Sequence, residues 1–232
     1  VGLPIKLWAK VERSRNTAST HRRSKELQLC IQSAVAIEIL IFAPMRISNL
    51  QNLRLDQHIS WQNKHAVIHI PRAQVKNDID LVFKLPLTVS QRIQTYINDW
   101  RALYTEGANP YLFPGRKMNP KDGTRLRRQI SKTLWDEAGI KLTPHQFRHA
   151  AAKILLDAKP GHYEVIRKIL GHKNLTTTYS HYAGAETQAA LDLYDDVILE
   201  HRKGTSFGSP QREGKVQEPP FMDPLQIYGG KK

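Results

Sequence analysis

The sequence predicts an α+β fold that is mostly helical and carries one small three-stranded antiparallel sheet. Two observations predict it. Apolar residues recur at helical spacing over most of the chain, for example at Leu27, Cys30, Ile31, Ala34, Val35, Ile37, Ile39 and Leu40. Between Leu53 and Leu85 the apolar period changes to two, as strands with one buried face require. A chain of 232 residues buries a substantial core, as one domain or two small ones.

Leu3 to Val11 reads as a short amphipathic helix, and Arg13 to Thr20 as a polar, solvated linker. Glu26 to Phe42 is apolar nearly all round and therefore a buried helix, which Pro44 stops. Leu53, Leu55 and Ile59 suggest a first strand, Ala66 to Ile70 a second and Leu81 to Leu85 a third. A polar hairpin connection, Pro71 to Asp78, joins the last two. Val89 to Glu106 has Ile93, Ile97, Trp100 and Leu103 at helical spacing, so these are core positions. Gly107 to Gly115 is a loop anchored by Tyr111 to Pro114. Thr143 followed by Pro144 is a helix start, with a hydroxyl cap and then proline at the first helical position. His162 to Leu170 is a helix ended by Gly171, a left-handed cap. Glu186 to Glu200 is a last amphipathic helix, and the tail beyond Lys203 has no periodicity and reads as flexible.

The charge excess narrows the partners. The formal net charge is +14 and the pI about 9.9. Residues 201–232 hold six Lys/Arg and three Asp/Glu, so they supply +3 and the preceding 200 residues +11. The excess belongs to the folded part, as a nucleic-acid surface requires. Arg116 to Lys132 concentrates it: Arg116, Lys117, Lys121, Arg125, Arg127, Arg128 and Lys132 stand against Asp122 alone. Such a run reads as phosphate contacts that fix register and affinity without reading sequence. The single Cys30 excludes a disulfide framework and fits a reducing compartment. No signal peptide and no apolar run near eighteen residues is found, so no membrane partner is expected.

One constellation carries chemistry. His145 and Arg148 lie three apart on one face of the helix opened by Thr143 and Pro144. Basic groups near a helix N-terminus make a phosphate-sized site, because unpaired N–H groups and the dipole favour anions there as well. His172 emerges from the turn at Gly171, and Tyr182 stands ten positions later. His145 and His149, four apart, have metal-ligand spacing, but no third ligand accompanies them and H-E-x-x-H is absent. Far upstream, Arg46 stands where one apolar helix closes and the next opens.

Arg46, then His145-x-x-Arg148, then Leu170-Gly171-His172, then Tyr182-Ala183-Gly184 resembles the tyrosine recombinase family of the phage-integrase type. The resemblance covers residues 26–200. It implies a catalytic domain over 26–203, preceded by a helical segment and linker over 1–25 and followed by a flexible tail over 204–232. Members usually carry a separate DNA-binding domain before the catalytic one; nothing in the first 25 residues has the length for it, so a catalytic fragment is expected. The resemblance implies site-specific cutting and rejoining of DNA through a 3′-phosphotyrosyl intermediate, with no metal, ATP or other cofactor. A type IB topoisomerase-like or resolvase activity, or a DNA-binding relative without catalysis, are the alternatives. Expected partners are a double-stranded recombination site, three further copies in a homotetramer, and accessory bending or directionality proteins, in a bacterial cytoplasm at the nucleoid.

The family's roles map onto this sequence residue by residue. Two guanidiniums, Arg46 and Arg148, would hold the non-bridging oxygens by forked hydrogen bonds. His172 would hydrogen-bond a non-bridging oxygen, and His145 would serve the phenol of Tyr182, a poor nucleophile at its ordinary pKa of about 10. A family lysine on the small sheet protonates the leaving 5′ oxygen; Lys76 matches its position best, with Lys84 the alternative. Tyr179 competes with Tyr182, and the one-residue-longer spacing ending in Tyr-Ala-Gly selects Tyr182. One departure is plain: Asn49 occupies a position that is usually acidic in the family.

Overall fold

The computed structural model describes residues 2–15, 21–104, 109–182 and 198–200. Residues 1–191 form one unit; of a second, 192–232, only the helical residues 198–200 are described. The expected last helix therefore lies outside the described residues save for those three, and the tail lies outside them entirely.

Helix α1 (Leu3–Arg15) buries Leu7, Trp8 and Val11 against helix α2 (His21–Phe42). Both helices are longer than their apolar patterns suggest: Arg13 and Arg15 continue α1, and α2 begins five residues before Glu26. Residues 31–40 of α2 are all buried, Gln32, Ser33 and Glu38 included, so the core wraps this helix on every side. Two of its buried polar side chains reach partners on other elements. Gln32 donates to the Tyr96 hydroxyl at 3.2 Å, and that hydroxyl donates to the Leu112 carbonyl at 3.2 Å. Glu38 pairs with Arg92.

Pro44 and the extended Arg46 lead into the short helix α3 (Ile47–Gln51). Three antiparallel strands come next, in the order β1 (Ile59–Gln62), β2 (His65–Ile70), β3 (Leu81–Lys84). Asn63 and Lys64, both at positive φ, make the two-residue turn that matches strand twist. Leu53 and Leu55 do not extend β1. Their backbone bonds instead to Pro110 and Leu112, beside an isolated Arg54–Tyr111 bridge, which explains their alternating pattern. The β2–β3 connection contains a 3₁₀ turn, Arg72–Gln74, anchored by buried Val75.

Helix α4 (Leu87–Thr95) continues through a wide π turn, Tyr96–Trp100, into a 3₁₀ turn, Arg101–Tyr104. The π turn takes up an extra residue and rotates the residues after it about the helix axis. The buried face therefore runs Val89, Ile93, Tyr96, Trp100, while Leu103 is exposed and Ile97 only partly covered. Helix α5 (Gly123–Ala138) starts on Asp122, whose carboxylate accepts from the Arg125 N–H at 2.9 Å, and ends on left-handed Gly139.

Helices α6 (Gln146–Ala158), α7 (Tyr163–Leu170) and α8 (Leu175–Tyr182) complete the described fold. Helix α6 begins two residues later than Thr143-Pro144 suggests. The cap there is a side chain reaching back: Gln146 Oε1 accepts from the Thr143 N–H at 2.7 Å and from its hydroxyl at 3.0 Å. Ala152, Leu156, Tyr163, Ile166, Leu170 and Tyr182 form a second apolar cluster beside the main core. Among the described residues no helix is long and apolar enough to cross a membrane.

The Glu38–Arg92 pair generates a stability prediction. Glu38 is 3% exposed and burial raises its pKa, opposed by Arg92. Arg92→Ala leaves that carboxylate uncompensated and is expected to cost about 3 kcal/mol in urea unfolding. Replacing both residues by leucine should cost much less, because no charge then remains inside.

Candidate active site

The site is built around one buried guanidinium. The register of α6 turns Arg148 inward, where it is 4% exposed. Its Nη1 donates to the Pro44 carbonyl at 2.8 Å and its Nη2 to the Leu170 carbonyl at 2.6 Å. One side chain thus joins the end of α2, the interior of α6 and the last residue of α7. Burial, with the charge of Arg46 adding to it, pushes the Arg148 pKa down to about 10, against a smaller opposite pull from Tyr182. The group still carries its charge at neutral pH.

Arg46 sits at the start of α3 and donates from Nη2 to Asn77 Oδ1 at 3.0 Å; burial lowers its pKa as well. Asn77 in turn donates from Nδ2 to the Gly171 carbonyl at 2.6 Å. The β2–β3 connection is thereby tied both to Arg46 and to the turn that presents His172. Lys76 is the exposed residue immediately before Asn77, whereas Lys84 lies at the far end of β3. Asn49, 7% exposed, donates its amide N–H to the Gln74 carbonyl at 3.3 Å. A carboxylate has no proton for that bond, so the amide suits this connection.

Gly171 ends α7 with φ 59° and ψ 45°, and the His172 N–H caps the helix by bonding the Arg167 carbonyl at 2.9 Å. The His172 ring is held by its Nδ1, 2.9 Å from the hydroxyl of Thr178, a fully buried residue of α8. The same helix ends on Tyr182, 7% exposed, with its ring in the second apolar cluster. Burial raises the Tyr182 pKa, and the Arg148 charge opposes that. Tyr179 is 44% exposed and stacks on Tyr163 at 4.1 Å between centroids.

Hydrogen bonds join Arg46 through Asn77 to the Gly171 turn, Arg148 bonds the residue before that turn, and the Arg148 charge interacts with Arg46 and with Tyr182; Lys76 stands next to Asn77. The sequence pattern puts His145 on the phenol; the structure gives the Tyr182 hydroxyl a different histidine. It lies 3.1 Å from Nδ1 of His149, and His145 packs edge-on against the His149 ring at 5.2 Å. Sequence reasoning missed Asn77, Thr178 and this role of His149. Only His149 left a signal, its i, i+4 spacing from His145.

The basic run forms a second region. Arg116, Lys117, Arg125, Arg127, Arg128 and Lys132 are exposed. A cleft of about 910 Å³ is lined in part by Lys25, Arg116, Lys117, Lys121 and Arg125. Lys121 differs from the rest of the run. It is half-buried, bonds Gln32 and Gln129, and burial with the Arg125 charge lowers its pKa to about 8. Lys132 also pairs with Asp136 at 2.6 Å.

Residues 16–189 match the phage integrase family. The chain belongs to that family. Tyrosine recombinase XerA of Pyrococcus horikoshii is 26% identical over 155 residues, covering 64% of this chain and 49% of the relative. Tyrosine recombinase XerC of Brucella melitensis is 35% identical over 105 residues, covering 43% of this chain and 32% of the relative. The chain spans about half the length of such curated relatives, or less. A crystal structure of the XerH site-specific recombinase bound to a palindromic difH substrate superposes with a TM-score of 0.58 at 20% identity. It covers 82% of this chain and 51% of that one, and establishes the phage-integrase fold.

The left-handed turn before His172 can be tested within that fold. A Cβ on Gly171 would lie 2.6 Å from Leu81 Cδ2, whereas one on Gly139, also at positive φ, meets nothing within 4 Å. Gly139→Ala should cost about 1 kcal/mol for backbone strain alone, and Gly171→Ala about 2 kcal/mol or more. Equal losses in urea unfolding would mean that Leu81 simply moves aside.

Proposed function

We propose that the protein is a site-specific DNA recombinase that cuts and rejoins DNA through a 3′-phosphotyrosyl intermediate, needing neither metal nor ATP. The observation that carries this reading is the meeting of two partly or wholly buried guanidiniums, Arg46 and Arg148, with the buried phenol of Tyr182. A phosphodiester oxygen pair is the complement of two such forks. Support comes also from family membership, and from the XerA and XerC relatives being named tyrosine recombinases.

In the proposed reaction Arg46 and Arg148 hold the charge that develops on the non-bridging oxygens, and His172 adds a hydrogen bond there. Tyr182 attacks phosphorus and a histidine receives its proton, the role that the resemblance gives to His145. Lys76 protonates the leaving 5′ oxygen, a contribution of roughly 10²–10⁴ in rate. Two arginines and a lysine supply the positive charge that a metal provides elsewhere, and the phosphotyrosine bond stores the energy for rejoining. The exposed members of the 116–132 run contact backbone phosphates on either side of the cut. The partner is a duplex recombination site bound by four copies of the chain, with accessory bending or directionality proteins, in a bacterial cytoplasm. Residues 26–203 form the catalytic domain, with 1–25 preceding it and 204–232 as a tail.

A suicide DNA substrate tests the nucleophile. Tyr182→Phe should bind DNA yet form no denaturant-resistant adduct, while Tyr179→Phe should still form one; the reverse outcome moves the nucleophile to Tyr179. Arg46→Ala and Arg148→Ala should slow cleavage about 10³-fold or more. Their DNA affinity should fall far less, because the exposed basic run remains. An equal loss of both would make the two arginines ordinary phosphate clamps.

Lys76 is tested by the leaving group. A bridging 5′ sulfur departs as a thiolate and needs no proton. Lys76→Ala should cleave normal DNA very poorly and the sulfur-bridged substrate nearly as fast as the parent protein does. Arg148→Ala should be slow on both. Should Lys76→Ala stay slow on sulfur, the acid is another group, with Lys84 and His172 the next to examine.

A further inference from the structure

We infer that His149 is the base that takes the Tyr182 proton, a role carried by neither His145 nor any other residue of the family pattern. The inference rests on the strand-cleavage reading above and names the group on which that reading's first proton transfer lands. Its ground is contact: the Tyr182 hydroxyl is 3.1 Å from His149 Nδ1, inside the range a base needs for direct transfer.

Four further features fit the role. His149 is the neighbour of Arg148 in α6, and Arg148 is fixed at both ends of its fork by the Pro44 and Leu170 carbonyls. The base is therefore attached to the most firmly held side chain of the site. Tyr182 is confined as well, being 7% exposed and a member of the second apolar cluster with Ala152, Leu156 and Tyr163. His149 itself is exposed, so a proton it has gained can pass to water. His145, the residue just before α6, meets His149 edge to face with ring centroids 5.2 Å apart and so supports its ring.

Atoms and charge balance in this step. For this step His149 accepts at Nδ1, which requires its own ring proton to be on Nε2. The Tyr182 oxygen forms a bond to phosphorus as its proton passes to Nδ1, leaving a cationic imidazolium. The phosphorus–O5′ bond breaks, and the O5′ takes the Lys76 proton. In rejoining the path reverses: the imidazolium returns its proton to the phenol as the 5′ hydroxyl attacks.

The test uses the full chain on a suicide substrate, with single-turnover adduct formation as the readout. His149→Ala should bind DNA within a few-fold of the parent and form adduct roughly 10²–10⁴ times more slowly. Added imidazole should restore much of that rate, saturably, because the vacated position is open to solvent. Placing 3,5-difluorotyrosine at position 182, whose phenol gives up its proton more readily, should narrow the gap between His149→Ala and parent. Three results would overturn the inference. A His149→Ala rate that matches or exceeds the parent's makes the contact a resting place for the hydroxyl. A slow His149→Ala that responds to neither imidazole nor the fluorinated phenol makes His149 structural. Rescue of His145→Ala by imidazole, in place of His149→Ala, returns the role to His145. If the parent protein forms no Tyr182-dependent adduct at all, the strand-cleavage reading itself fails and the inference with it.

Discussion

Everything in the site depends on a charge that the fold has taken out of water. Transferring a guanidinium to the interior costs several kcal/mol even after relaxation. The protein offsets this with two backbone carbonyls at 2.8 and 2.6 Å, on Pro44 and Leu170. Carbonyls satisfy donors without cancelling charge. Of the groups that shift the Arg148 pKa, only Tyr182 favours its charged form. A second guanidinium, Arg46, works against it. The net positive potential is therefore held ready by the fold and not quenched by it, which is what an anion site of fixed geometry requires.

The same two carbonyls explain how distant segments are kept in register. Pro44 precedes Arg46 by two residues, and Leu170 precedes His172 by two. Placing Arg148 thus places the backbone on which both neighbours ride. Asn77 closes the circuit from the other side, bonding Arg46 with its oxygen and the Gly171 carbonyl with its nitrogen. The small sheet adds little to the core beyond its inward face. Its contribution is to carry the loop of Lys76 and Asn77 to the place where α3 and the α7 turn meet. Gly171 is the tight point of the arrangement, since it needs both a left-handed backbone and the close approach of Leu81.

What the sequence discloses and what it conceals divide along physical lines. The buried helix α2, the sheet and the cap at Gly171 were legible because each comes from local periodicity or a local backbone demand. The boundaries of α6 and the face of α4 were not. A Gln146 side chain reaching backwards and a π turn at Tyr96–Trp100 both depend on packing with other elements. In the candidate site, the sequence offers Arg46, Arg148, His172 and Tyr182 because residue type and order carry the family resemblance. Asn77 and Thr178 could not, since a polar residue in a turn or helix says nothing of a partner 94 residues away or across a cap. The basic run shows the same limit. Its charge was plain, but that Lys121 turns in to Gln32 while its neighbours face outward is decided by the interior it borders.

The electrostatics of the nucleophile point to when its proton has to move in the proposed reaction. Burial makes phenolate costly at Tyr182, and the Arg148 charge offsets part of that cost. An arriving phosphodiester reverses the balance. Its negative charge partners the two guanidiniums and lies beside the phenol oxygen, so ionising the phenol in advance becomes harder once the substrate is bound. Waiting for a preformed phenolate would therefore be least effective in the very complex that reacts. The proton must leave as the oxygen–phosphorus bond forms, which calls for an acceptor already within hydrogen-bond distance of the hydroxyl. A basic residue elsewhere in the cleft cannot meet that demand, however suitable its charge. In this fold the residue in contact with the phenol is the one next to the buried arginine, His149, which is why the proposed proton transfer is assigned to it.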